Sequence, residues 1–195
     1  AFPLGRRDIS EKLNIPPKLY GREEEIEVLL SAYYRMRQGQ SLMMLVAGYA
    51  GIGKSALVQE MYTRCQAMMS DEYVTRVCEG GYFISGKFDL FQRNVPYQAL
   101  ISAFSDLVQQ VLSKNEEEIG QCREQLLATF GPNGQVMIDL IPDLELLVGP
   151  QPNVPVLGPT EAQNRLNLVF QNMLHVLCQP QHPLVIFLDD LQWAD

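Results

Sequence analysis

At 195 residues and 22.1 kDa the chain has the length of about one domain, with some excess over the ~150 residues a domain typically takes. Apolar residues make up 47% and charged residues 19%, enough to fill one substantial core, which excludes a wholly disordered chain. Fifteen Lys and Arg against 23 Asp and Glu leave a net charge of −8, so the uniform positive field of a non-specific nucleic-acid binder is missing.

Residues 1–18 mix charges, glycine and the Pro16-Pro17 pair without periodicity and read as a linker. From Gly21 the pattern changes. Ile26, Leu29, Leu30, Tyr33 and Tyr34 recur at helical spacing, and Glu23 to Glu25 suit a helix N-terminus, which predicts a helix over 22–37. The continuous apolar run 42–47 has strand length and fits a parallel strand buried on both faces. A glycine-rich turn over 48–53 leads into a predicted helix over 54–69, and residues 81–85 offer a second short strand.

Beyond the polar stretch 86–94, Pro96 can open a helix. Its apolar stripe is Tyr97, Leu100, Ile101, Phe104, Leu107, Val108, Val111 and Leu112. Asn115 with Glu118 resembles a helix cap before Ile119, Cys122, Leu126 and Leu127, and Gly131-Pro132 ends that helix. A short helix is expected over 134–141. Five prolines from Pro142 to Pro159 exclude a continuous helix or central strand, so that segment is expected to cross the surface as a loop. Thr160 with Gln163 matches a capping box ahead of a helix that buries Leu166, Val169, Phe170, Met173, Leu174 and Leu177. Finally Pro183 precedes the strand-like run 184–188, which ends in Asp189-Asp190.

No apolar run approaches the ~18–20 residues of a membrane helix, and no signal core follows the opening charges. Cys65, Cys78, Cys122 and Cys178 show no CxxC pairing, the pattern of reduced thiols in a cytoplasmic protein. His175 and His182 have no carboxylate or cysteine partners at ligand spacing, which argues against zinc. With no initiator Met at Ala1 and a strand-to-helix connection due just where Asp195 stands, the chain reads as an excerpt from a longer protein.

The chemistry concentrates at two places. Gly48-Tyr49-Ala50-Gly51-Ile52-Gly53-Lys54-Ser55 matches G-x-x-x-x-G-K-[ST], between an expected strand and an expected helix. Glycines there let several N–H groups converge on phosphate oxygens at the positive end of the helix that Ala56 continues. Lys54 is the candidate for the β and γ phosphates, and Ser55 for a hydroxyl ligand to Mg²⁺. About 135 residues further on, Asp189 and Asp190 stand at a strand's C-terminal edge, where the nucleotide cleft of an open α/β sheet lies. Asp189 is the candidate for holding Mg²⁺, and Asp190 for orienting or deprotonating the attacking water. Lys87, Asp89, Arg93 and Asn94 form a polar cluster that reads first as a solvated loop, with phosphate sensing as the alternative.

Leu19-Tyr20-Gly21-Arg22-Glu23, the 48–55 string and Leu188-Asp189-Asp190-Leu191-Gln192-Trp193-Ala194-Asp195 resemble the AAA-type ATPase module of the signal-transduction (STAND) class. The stretches 80–89 and 158–165 are similar to parts of bacterial multi-sensor signal transduction multi-kinases. The resemblance implies an α/β P-loop NTPase, a three-layer sandwich around a parallel sheet, of which residues 19–195 supply the N-terminal part. It further implies a strand order 5-1-4-3-2, with a strand beyond this segment between the two that carry the motifs. The fold would then be incomplete, truncated after the strand at 184–188, with exposed edges and apolar surface.

The same resemblance places Tyr20, Gly21 and Arg22 against the adenine or its ribose; Trp193 is expected to pack beneath the catalytic loop. It implies ATP and Mg²⁺ as cofactors, and a serine/threonine kinase domain, sensor domains and a histidine kinase domain as neighbours in one chain. The function it implies is an ATP-binding signalling switch; the alternative is a scaffold that binds nucleotide only for structure or not at all. Sensor residues, an arginine finger and a helical lid lie outside the segment, so these 195 residues alone are expected to bind ATP with little or no turnover.

Overall fold

The computed structural model describes residues 21–69, 81–89, 97–179 and 182–194. Tyr20, Arg93, Asn94, Pro96 and Asp195, on which sequence expectations fell, lie outside these.

The first helix, α1 (Glu23–Arg37), carries Glu23, Glu24 and Glu25 in its first turn and Arg35 and Arg37 in its last, both in the sense the helix dipole favours. It buries Ile26 and Leu30. Helix α2 (Lys54–Met69) contributes Leu57, Val58, Met61 and Cys65 to the same small core. Strands β1 (Tyr82–Lys87) and β2 (Leu184–Asp189) pair in parallel, from Tyr82 opposite Leu184 to Lys87 opposite Asp189.

Side chains alternate across a strand, so the two faces of this ribbon meet different partners. Phe83 and Phe187 face the α1–α2 core, where the Phe83 ring stacks on Tyr62 with centroids 4.1 Å apart. Tyr82 and Ile84 face the opposite way, into the larger core. Helices therefore pack on both faces of this small parallel sheet, in a mixed α/β arrangement.

The larger core comes from the segment between the strands: α3 (Gln98–Leu112), α4 (Glu116–Phe130), α5 (Gly134–Leu140), α6 (Leu144–Val148) and α7 (Pro159–Leu177). Phe104, Leu107, Leu126, Phe130, Met137, Leu144, Leu147 and Met173 are among its most buried side chains. Asn115 caps α4 as expected, its side-chain oxygen accepting the Glu118 N–H at 2.9 Å.

Several expectations need correction. Residues 42–47 form no strand: Met43 is 92% and Leu45 72% exposed, and only Val46 packs against a core. A parallel strand exists only as part of a hydrogen-bonded ladder, and among the described residues β1 and β2 pair with each other and with no third strand. The apolar run pairs with neither of them. Helix α3 starts at Gln98, and Tyr97, expected on the buried stripe, is its left-handed N-cap and 53% exposed; Ala99 and Ala103 occupy the buried face instead.

Thr160 and Gln163 make no capping box, because α7 already begins at Pro159 with Gly158 as N-cap. Proline at the first helical position lacks only an N–H that would have no helical partner, so the helix extends one residue further back. The Gln163 amide bonds to Asn167 instead. The 142–159 stretch is not only a surface loop, since α6 fits between Pro142 and Pro150 and buries Leu144, Leu147 and Val148. Among the described residues no helix is long and apolar enough to cross a membrane.

Candidate functional site

The site gathers where the 48–53 turn, the start of α2 and the C-terminal tips of β1 and β2 meet. Gly51 at φ 77° and Gly53 at φ 93° take left-handed backbone conformations that other residues rarely adopt, so the string's glycines let the turn close in this form. The turn is tied by the Ile52 N–H donating to the Tyr49 carbonyl at 3.4 Å, and α2 starts with the Leu57 N–H on the Gly53 carbonyl at 2.9 Å. The Lys54 ammonium curls back over this turn, donating to the carbonyls of Gly48 at 3.0 Å and Tyr49 at 3.1 Å. A cation thus stands over the loop beside the positive end of a helix, a combination that attracts phosphate.

Ser55, on the first turn of α2, donates its hydroxyl to Asp189 Oδ2 at 2.6 Å. The two residues are 134 positions apart in sequence, and the contact joins the predicted phosphate loop to the predicted acidic strand end. A hydroxyl and a carboxylate are hard oxygen donors, and Mg²⁺ typically takes one or two protein oxygens with the rest from phosphate and water. The donor set therefore suits that ion.

Asp190 follows with φ 56° and ψ 42°, a left-handed conformation that aspartate tolerates better than most residues. Its N–H donates to Asp189 Oδ1 at 2.9 Å, and its carbonyl accepts the Trp193 N–H at 2.9 Å as a short 3-10 turn over Leu191–Trp193 begins. On its side chain, Gln192 Nε2 donates to Oδ1 at 2.9 Å and Lys87 Nζ forms an ion pair with Oδ2 at 3.1 Å. These hydrogen bonds from Gln192 and Lys87, with the charges of Lys87 and Lys54, hold the Asp190 carboxyl below its ordinary range. The hydrogen bond to Asp190, and then its charge, raise the Lys87 ammonium above its own. Lys87 therefore lies on a strand and not in a loop: it closes β1 opposite Asp189, and its exposed side chain reaches across to the next residue of the neighbouring chain segment.

Arg22, at the N-terminus of α1, pairs with Glu25 at 3.1 Å and reaches the Ile52 carbonyl with Nη2 at 3.4 Å. Gly21, at φ 72°, donates its N–H to Glu23. Gly21 and Arg22 are thus brought to the rim of the turn through Arg22, while Tyr49 at 88% and Ile52 at 46% exposure face solvent. The sequence alone assigns no role to Gln192. Its signal was position alone, two residues past Asp190, where a turn brings an amide back onto the carboxylate.

A family profile described as "AAA ATPase domain" matches residues 18–195. The chain is 35% identical over 194 residues to "Hybrid signal transduction histidine kinase G" of Dictyostelium discoideum, covering all of this chain and 5% of that protein. No solved structure matches the chain. The phosphate-loop string, the acidic strand end beside it and a profile match over nearly the whole length agree, and the chain belongs to the AAA ATPase domain family.

Proposed function

We propose that this chain is an Mg-ATP-binding switch module of the STAND type, set within a larger cytoplasmic signalling protein that also carries sensor, serine/threonine kinase and histidine kinase domains. The observation that carries the nucleotide reading is the 2.6 Å contact between Ser55 and Asp189. Two residues proposed as magnesium ligands from separate motifs lie within one hydrogen bond of each other, beside the turn that Lys54 covers. The signalling context draws on the histidine-kinase relative, of which the chain spans about 5%.

Each residue then has a task. Main-chain amides of residues 48–56 and the Lys54 ammonium bind the phosphates once the lysine leaves the Gly48 and Tyr49 carbonyls. Ser55 and Asp189 would hold Mg²⁺, which when bound would neutralise charge on the phosphates. Asp190 orients a water and accepts its proton. Tyr20, Gly21 and Arg22 flank the base or ribose.

The test is paired substitution in the full-length protein. Lys54→Ala should abolish binding of a fluorescent ATP analogue, whereas Asp190→Asn should keep binding and lose hydrolysis. Unchanged nucleotide affinity in Lys54→Ala would reject the phosphate-loop assignment. Binding without turnover in the wild type would leave a nucleotide-stabilised scaffold.

A further inference from the structure

Between α6 and α7 the chain runs over 149–158 without regular secondary structure, and Pro150, Pro152, Pro155 and Pro159 punctuate it. Proline fixes its own φ and disfavours helical backbone in the residue before it, so only Asn153, Val156 and Leu157 escape one restriction or the other. The conformation this favours is polyproline II, a left-handed helix of three residues per turn without internal hydrogen bonds. Burial follows that period. Gln151 and Val154 are half-buried and Leu157 is 42% exposed, whereas Pro152, Asn153 and Pro155 are exposed and Val156 is 98% exposed. One ridge of the helix thus faces the protein, and two face outward, Pro152 with Pro155 and Asn153 with Val156. Among the described residues no backbone–backbone hydrogen bond involves residues 150–157.

The segment is fastened from within. The Gln151 side chain packs on Gly134, where a Cβ would stand 2.8 Å from its Cγ, and its amide nitrogen lies 3.2, 3.3 and 3.3 Å from the carbonyls of Val148, Gly149 and Pro150. Further along, Arg165 Nη1 donates to the Pro155 carbonyl at 3.0 Å. The flanks carry one sign of charge: residues 124–164 include Glu124, Asp139, Asp143, Glu145 and Glu161 and no Lys or Arg. We propose that residues 151–157 are a preformed polyproline-II ridge by which this chain docks into an aromatic-lined groove, rimmed by Lys or Arg, on a partner protein domain. Pro152-Asn153-Val154-Pro155 has the P-x-x-P spacing that such grooves take, since residues three apart share a ridge. Flat rings of the groove lie against the Pro152 and Pro155 rings, and a donor such as an indole N–H meets carbonyls that no backbone partner uses. Because proline and the Gln151 and Arg165 anchors already fix the backbone, docking loses little chain entropy. The basic rim answers the acidic flanks. The proposal draws nothing from the nucleotide function and stands or falls without it.

The experiment titrates the full-length protein with a purified WW domain whose groove holds a tryptophan and whose rim is basic, following the probe's tryptophan fluorescence. Two altered probes accompany it, one with the groove tryptophan replaced by alanine and one with the rim Lys and Arg replaced by Glu. The parent probe should bind saturably and both altered probes should bind about tenfold or more weakly. The double variant Pro152→Ala/Pro155→Ala should weaken the parent probe by about tenfold or more, and Val156→Ser should weaken it as well. Val156 is almost fully exposed, so its replacement leaves the cores intact and guards against loss of fold. Leu168→Ser, at another exposed apolar residue outside the ridge, should leave the affinity within about twofold.

Absence of saturable binding by the parent probe overturns the proposal, as does equal binding to wild type and to the ridge variants. Equal binding of the probe lacking its tryptophan overturns the aromatic groove, and equal binding of the acidic-rimmed probe overturns the charge match. Two other occupants are tested alongside. Dimerisation of the full-length protein that Val156→Ser abolishes would assign the ridge to a second copy of this chain, and co-sedimentation with phosphatidylcholine vesicles that Val156→Ser abolishes would assign it to a lipid surface; either result overturns the proposal.

Discussion

Gly86→Ala tests how tightly the large helical core is seated on the sheet that carries the site. Gly86 lies on the β1 face that meets α3, and a Cβ built there would stand 2.0 Å from the Ala99 carbonyl oxygen and 2.7 Å from its carbon. Ordinary contact begins at 3.4 Å, so the methyl overlaps by about 1.4 Å. The obstacle is backbone in the first turn of α3, which no side-chain rotation removes. Helix and strand must move apart, and Ala99 and Ala103, both essentially buried, move with them.

Overpacking of a core typically costs ~1–3 kcal/mol, and a backbone obstacle places this case near ~3. At ~2–4 °C per kcal/mol for a chain of this size, the melting temperature should fall by about 6–12 °C. Gly120→Ala is the internal control. Gly120 lies within α4 with nothing within 4 Å of its would-be Cβ, so alanine there should stabilise by ~0.5–1 kcal/mol through helix propensity. Thermal melts followed by circular dichroism compare the two. A Gly86→Ala protein melting within about a degree of wild type would refute the close approach of α3 to β1.

Asn115→Ala should cost ~1 kcal/mol by removing the acceptor for the Glu118 N–H, with Asn115→Asp nearly neutral; chemical denaturation resolves the difference. The cysteines should label in order of access to their thiolates. Burial pushes the Cys65 thiol up to about 11, so at pH 8 it is almost wholly protonated and enclosed, whereas Cys178 is exposed. Among the three described cysteines, mass spectrometry after brief alkylation of the native protein should therefore find Cys178 modified before Cys122, and Cys65 after both. Early reaction of Cys65 would contradict the packing of α1 on α2.

Local patterns were legible wherever the structure they specify is itself local. Helices α1, α4 and α7 follow from apolar spacing, and Asn115 caps α4 as its position ahead of Glu118 suggested, because helical hydrogen bonds and caps join residues three or four apart. The same locality explains the misses at helix starts. Thr160 and Pro159 both favour a helix N-terminus, and Gly158 takes the cap. Tyr97 fits the stripe by spacing, yet α3 turns Ala99 and Ala103 toward the sheet, where the close approach at Gly86 admits only small side chains.

The chain's own order of residues determined the chemistry available: a glycine-rich turn ending in Lys54-Ser55, and an acidic pair after an apolar strand. Only tertiary structure decided which of these groups meet. Ser55 reaches Asp189 and Lys87 reaches Asp190 because β1 and β2 pair in one parallel register, with α2 packed on one face and α3 to α7 on the other. Residues 42–47 show the same dependence in reverse. Their composition favours a buried strand, but a strand needs a neighbour's N–H and carbonyl groups, and no pattern within six residues can supply them.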